Sequence, residues 1–215
     1  EIPIIIKVFL GVFLLDLIGA YLPHYVQHKI NFLWKIHLVH HSDHNVDTTT
    51  ANRHHPFESL IRFIFTLLGV IVLGTSIGIV FLYQSISLIL SQFNHANIKL
   101  PSSIDKILSF VIVSPNMHKV HHHYVLPYTD SNYGNIFSIW DRIFGTHMRL
   151  EPKEIIYGVD TFFDKKENQI TKKWMHKNLI NNFCYPIFTC YFHNLCTLRY
   201  NDVDIFISPY GLLRL

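Results

Sequence analysis

The sequence predicts an all-α integral membrane protein with transmembrane helices, a helical hairpin and a histidine-rich cap, and three observations predict it. Two apolar blocks, 2–22 and 60–93, are long enough to cross a bilayer. Of the 215 residues, 49% are apolar and only 15% charged, where a soluble domain carries roughly 25% charged residues. The 16 histidines gather at helical spacings instead of scattering. The net charge of +3 is small, and the lysines and arginines form no stripe, so nucleic acid is excluded as a partner.

The first block, Ile2 to Leu22, suits one span of a ~30 Å hydrocarbon core and is interrupted by Lys7 and Asp16. An ionisable group inside a span is a functional suspect, and Asp16 lies about two turns before the first histidine; the competing reading is a side chain that snorkels. The second block, Leu60 to Phe93, would reach about 50 Å as one straight helix. Gly69, Gly74 and Gly78, with Thr75 and Ser76 between them, predict a break there and two shorter helices folded back as a hairpin. A hairpin returns His95 to the membrane face that carries His55.

Between and after these blocks lie polar segments carrying Lys29, Lys35, Arg53, Lys119, Arg142 and Arg149, which the positive-inside bias places on the cytoplasmic side. The expected organisation is a membrane and metal-binding domain over 1–150, a polar cytosolic extension over 151–183, and an apolar tail over 184–215. The tail reads either as a further membrane-contacting helix or as a divergent end. Cys184, Cys190 and Cys196 lack paired CxxC spacing, which argues for reduced thiols over a disulfide framework or a zinc ribbon. The chain opens without methionine and inside an apolar run, so a signal peptide cannot be judged from it.

Three histidine clusters carry the chemistry. His24 and His28 are four apart; His37, His40 and His41 follow i, i+3, i+4; His118, His121 and His122 repeat that spacing. On an α-helix these offsets put the imidazoles of a cluster about a turn apart on one face, able to offer nitrogens to a common point. Ser114 and Pro115 supply an N-cap and a favoured first helical residue before the third cluster. So many imidazoles without metal would repel one another on protonation, a cost that a bound cation removes. Eight imidazoles, with His95 and His55 as further candidates, exceed one tetrahedral zinc site and suit two ions. Imidazole accommodates iron, zinc and copper alike, and two redox-active ions beside acyl chains suit O2 activation, which zinc does not perform.

The run from Asp16 through Tyr21, His24 and His28 to Leu33-Trp34-Lys35-Ile36-His37-Leu38-Val39-His40-His41-Ser42 resembles the fatty acid hydroxylase / sterol desaturase superfamily. Further pieces match in order: Arg53-His54-His55-Pro56-Phe57-Glu58, Phe93-Asn94-His95-Ala96-Asn97, Ser114 to His122, Asn132-Tyr133-Gly134, and Trp140 to Thr146. The resemblance implies a helical membrane fold with a cytosolic cap holding two iron ions (zinc in some purified samples), O2 as co-substrate, a lipid drawn from the bilayer, and electrons from a separate cytochrome b5- or ferredoxin-like carrier. It implies the endoplasmic reticulum membrane in a eukaryote, or the inner membrane in a bacterium. By resemblance the metal ligands are His24, His28, His37, His40, His41, His118, His121 and His122, with His95 as an extra ligand and His55 as ligand or outer support. Tyr25 departs from the arginine many members carry there, and His54 and His123 each add an imidazole to their motif.

Asp141 and Asn97 are candidates for orienting ligand imidazoles by accepting their second N–H, with Asp16 as a third supporting group. For Asp141 the alternative is an ion pair with Arg142. Trp140, Ile143 and Phe144 are expected to pack beneath the metal helices. The reaction expected is hydroxylation or desaturation of a lipid; the competing classes are a membrane metal carrier, which would keep the ligands without consuming electrons, and a b-type cytochrome.

Overall fold

The computed structural model describes residues 2–159 and the backbone of 196–200, 203–208 and 211–213. The chain divides into two compact units, Glu1–Asp160 and Thr161–Leu215.

The first unit is helical. Helix α1 (Ile4–Asp16), a π turn (Leu17–Tyr21) and α2 (Leu22–Lys29) run on as one rod, followed by α3 (Asn31–His41). Helices α4 (Pro56–Leu73) and α5 (Ile77–His95) form the expected hairpin. The break falls at Gly74, which ends α4 with φ +58° in the left-handed region where a side chain is strained. Gly69 lies within α4, where a Cβ would meet Leu15 at 3.2 Å, so its role is close approach to α1 and not the break. Three shorter helices complete the unit: α6 (Ser102–Val111), α7 (Pro115–His121) and α8 (Ile139–Ile143).

Three helices are long and apolar enough to cross a membrane: Ile4–Lys29, Pro56–Leu73 and Ile77–His95. They expose a belt of large apolar residues, among them Ile4, Phe9, Phe63, Ile71, Phe81 and Ile89. Facing hydrocarbon, such helices gain little from apolar burial and hold together by close packing. Gly19 shows how close: a Cβ there would stand 2.8 Å from Thr66 Oγ1 and 3.0 Å from the Tyr83 hydroxyl. Val12 and Leu15 of α1 pack with Tyr83 of α5 and Ile136 of the cap, which ties the spans to the segment above them.

Residues 151–159, placed at sequence level in a separate extension, continue the first unit. The Ile156 N–H donates to His123 Nδ1 at 3.0 Å and the Tyr124 N–H to the Ile156 carbonyl at 2.9 Å. Residues 160–183 of that extension, together with Cys184 and Cys190, lie outside the described residues. In the tail, where the sequence assigned no element, the backbone forms an antiparallel meander: β1 (Cys196–Tyr200), β2 (Val203–Ser208) and β3 (Gly211–Leu213). Cys196 pairs with Ile207 and Tyr200 with Val203. Val203-Asp204-Ile205-Phe206-Ile207 is rich in β-branched and aromatic residues, which favours a strand over a membrane helix.

Candidate metal centre

The rod, the hairpin and the cap bring nine histidines together in two groups. His24, His28, His37, His41 and His121 form the first, and His40, His95, His118 and His122 the second; within each group one nitrogen per ring lies within 4.8 Å of the others. All nine are buried. The groups adjoin, with His41 stacked on His122 at 4.7 Å between centroids and His118 on His121 at 5.2 Å.

Each i, i+3, i+4 cluster forks instead of serving one common point. His37 and His41 go to the first group and His40 to the second; His118 and His122 go to the second and His121 to the first. Helical geometry explains the fork: positions four apart differ by about 40° around the axis, whereas i+3 diverges by about 60° from i and about 100° from i+4. The Ser114 hydroxyl accepts the Met117 N–H at 3.2 Å, the N-cap expected at the head of α7.

The π turn sets the first cluster. Straight α spacing would place Asp16 and His24 about 80° apart, and a wider turn advances less per residue and brings them toward one face. Both then meet the segment 133–140: Asp16 accepts from the N–H groups of Ile136 and Phe137 and from Trp140 Nε1, at 3.1–3.2 Å. Asp16 therefore anchors the cap to α1 and touches no imidazole.

The far side of the rings shows what the near side can do. His24 Nδ1 meets the Tyr133 carbonyl at 2.9 Å, His121 Nδ1 the Ser131 carbonyl at 2.6 Å and His95 Nδ1 the Ser91 carbonyl at 2.8 Å. A carbonyl only accepts, so each of these Nδ1 atoms carries the proton and each Nε2 presents a lone pair. Yet His24 Nε2 and His121 Nε2 stand 2.9 Å apart, and His95 Nε2 lies 3.0–3.3 Å from the Nε2 atoms of His40, His118 and His122. The His24 and His121 lone pairs, facing each other at 2.9 Å, repel until a cation sits between them, and His95 Nε2 offers its lone pair among the nitrogens of the second group. The Nε2 atoms of His28, His37 and His41 are buried without a hydrogen-bond partner, which fits the same role. Burial first, then neighbouring imidazoles, holds His40, His41, His118 and His122 well below the usual imidazole range and His121 at about 3. These rings are neutral at physiological pH, the form that ligates metal.

Two carboxylates that sequence reasoning missed back the first group. Glu58 Oε1 lies 3.0 Å from His37 Nδ1 and 2.9 Å from His54 Nδ1; Asp130 Oδ1 lies 3.2 Å from His28 Nδ1, and its other oxygen accepts from Lys29 Nζ at 2.6 Å. Their signal was available for Glu58, in the motif Arg53 to Glu58, but Asp130 stands in a loop without a motif.

The remaining candidates are placed as follows. His55 lies outside both groups; its Nδ1 accepts the Phe57 N–H at 3.2 Å and caps α4. Asn97 is exposed and orients no imidazole. Asp141 supports the site through the backbone: it accepts the N–H groups of Tyr133 and Gly134 at 2.7 and 2.9 Å, holding the turn whose carbonyls face His24 and His121. Burial raises the Asp141 carboxyl to about 6, against the pull of these donors and Thr146, so it is ionised at neutral pH. It makes no ion pair with Arg142, which donates to the Ser138 and Ser109 carbonyls. Trp140 packs on Phe13 of α1, and Phe144, though 51% exposed, stacks on Tyr21 at 5.2 Å, whereas Ile143 is 61% exposed. His54 stacks on His40, and His123 accepts from Ile156; neither joins a group.

The comparisons agree with this geometry. The chain is 25% identical over 158 residues to an ornithine lipid hydroxylase of Rhizobium tropici, covering 73% of the chain and 46% of that protein. It is 32% identical over 141 residues to an alkylglycerol monooxygenase of Danio rerio, covering 66% of the chain and 30% of the relative. A putative methylsterol monooxygenase of Dictyostelium discoideum is 25% identical over 160 residues, 72% of the chain and 58% of the relative. The chain thus spans under two thirds of the length of each of these relatives. No solved structure matches it. The fatty acid hydroxylase profile matches residues 8–146, well over half of the chain and every histidine of both groups, and the chain belongs to the fatty acid hydroxylase family.

Proposed function

We propose that the chain is the catalytic part of an O2-dependent lipid hydroxylase or desaturase, with two iron ions held by the nine buried histidines. The observation that carries this reading is the convergence of buried ring nitrogens into two groups, with His24, His95 and His121 oriented from behind by carbonyls and His28 by the Asp130 carboxylate. His24, His28, His37, His41 and His121 would hold one ion, and His40, His95, His118 and His122 the other. Bound iron supplies reductive O2 chemistry strong enough to attack an unactivated C–H bond.

The chain's own residues do the rest. The imidazoles would bind through ring nitrogens; Glu58 and Asp130 stand behind His37 and His28; the 131–134 turn fixes His24 and His121; burial excludes water. Hydroxylation places one oxygen atom in a C–H bond and releases the other as water, consuming two electrons and two protons. Desaturation consumes the same reductant and releases both oxygen atoms as water. The electrons come from a separate carrier, and the lysines and arginines of the cap support a site on the cytoplasmic face.

The test is metal analysis and lipid profiling of membranes expressing the chain. Iron that co-purifies, and an oxidised lipid that needs both O2 and reductant, are the expected results. A product that persists in His40→Ala and His121→Ala variants sinks the proposal.

A further inference from the structure

The hairpin carries a polar feature that the metal centre does not use. Arg62 of α4 and Gln84 of α5 lie inside candidate spans whose other exposed side chains, small ones such as Ser59 and Ser85 apart, are apolar. An ionisable side chain at such a place is costly unless it is paired or serves a site. Among the described residues the guanidinium of Arg62 and the amide of Gln84 make no hydrogen bond or ion pair. Asp16 attracts Arg62 electrostatically but is held by the 136–140 segment, and Glu58 is engaged by His37 and His54, so neither carboxylate pairs directly with Arg62.

Both side chains line one cavity of about 300 Å³. Its polar end includes Ser59 and His54, and its rim includes Phe63 and Leu88, which are 61% and 59% exposed. A cation with hydroxyl and amide groups in one cavity beside exposed apolar side chains matches an amphiphile. The polar end also reaches the second histidine group. His54 stacks on His40 at 4.7 Å, and Ser91, another wall residue, holds His95 Nδ1 through its carbonyl at 2.8 Å.

We propose that this cavity takes the anionic head group, phosphate or carboxylate, of the lipid substrate, with Arg62 as its counter-ion and Gln84 as a hydrogen-bonding partner. The hydrocarbon then leaves past Phe63 and Leu88 toward the bilayer, and the head is anchored one ring layer from the second group. This inference rests on the lipid oxygenase reading above and narrows its substrate class.

The experiment is native mass spectrometry of the full, metal-loaded chain in detergent, titrated with phosphatidylglycerol or with dioleoylglycerol. Phosphatidylglycerol is expected to bind at least ~10-fold more tightly, a preference that Arg62→Gln removes and Arg62→Lys largely keeps. Equal binding of the two lipids, or a preference that survives Arg62→Gln, overturns the proposal. Displacement of the lipid by an equal concentration of inorganic phosphate also overturns it, since the site would then take free anions. Should Arg62→Gln fail to fold, Gln84→Leu is expected to weaken phosphatidylglycerol binding severalfold with metal content unchanged, and unchanged binding counts against the site. Arg62-dependent binding without any oxidised product would refute the oxygenase reading alone; oxidised product with Arg62-independent binding would refute only this inference.

Discussion

The two histidine groups draw on the same clusters yet are backed differently. The first has five rings, two supported by carboxylates and two by the carbonyls of the 131–134 turn. The second has four rings and one carbonyl, at His95; the Nδ1 atoms of His40, His118 and His122 are buried without a hydrogen-bond partner, as in the first group are those of His41 and of His37, the latter 3.0 Å from Glu58. A ring with a fixed tautomer and an anion behind it is the stronger donor. The comparison teaches that spacing alone supplies candidate ligands, and that the loops and the hairpin would decide how firmly each ion is held.

The largest expected effect comes from removing a ring. His121→Ala strips the first group and His118→Ala the second, each lowering bound metal by about half and abolishing turnover, because ligand loss uncouples the site from folding energy. Metal analysis of the two purified variants checks this, and retention of both ions by either one would break the assignment.

Glu58→Gln is the sharper probe of the difference. It removes the anion behind His37 and is expected to weaken metal binding at the first group by about 10–100-fold while leaving the second nearly intact. Competitive chelator titration would show the tighter release step moving to lower chelator concentration while the weaker one stays in place. Gly19→Leu acts through packing: it pushes on Thr66 and Tyr83 beside the π turn and is expected to cost about 1–3 kcal/mol. Thermal unfolding in detergent measures that loss. The smallest effect is expected from His55→Ala, a lost helix cap worth about 1 kcal/mol with metal content unchanged. A drop in metal content there would put His55 back among the ligands.

Much of this was legible in the sequence, for identifiable reasons. The i, i+3 and i+4 offsets, the Ser114 cap and the glycine break of the hairpin are local patterns that a helix repeats faithfully. The hairpin also made His95 a neighbour of the other rings, by returning it to the side of the first clusters. The fork of each cluster was not legible, because it depends on where neighbouring helices stand. Nor were the roles of Tyr133, Ser131 and Ser91, which act through backbone carbonyls that every residue owns. His55 misled because an imidazole serves equally as a helix cap. The meander at 196–213 was missed because a short apolar run does not separate strand from helix by periodicity.

The most direct test of the account is X-ray absorption at the iron edge of the loaded chain. Nitrogen-dominated coordination with imidazole outer-shell scattering and an iron–iron vector is the predicted spectrum. Isolated iron, or a shell dominated by sulfur or by carboxylate oxygen, would contradict the claim that nine buried rings grip an adjacent pair of ions.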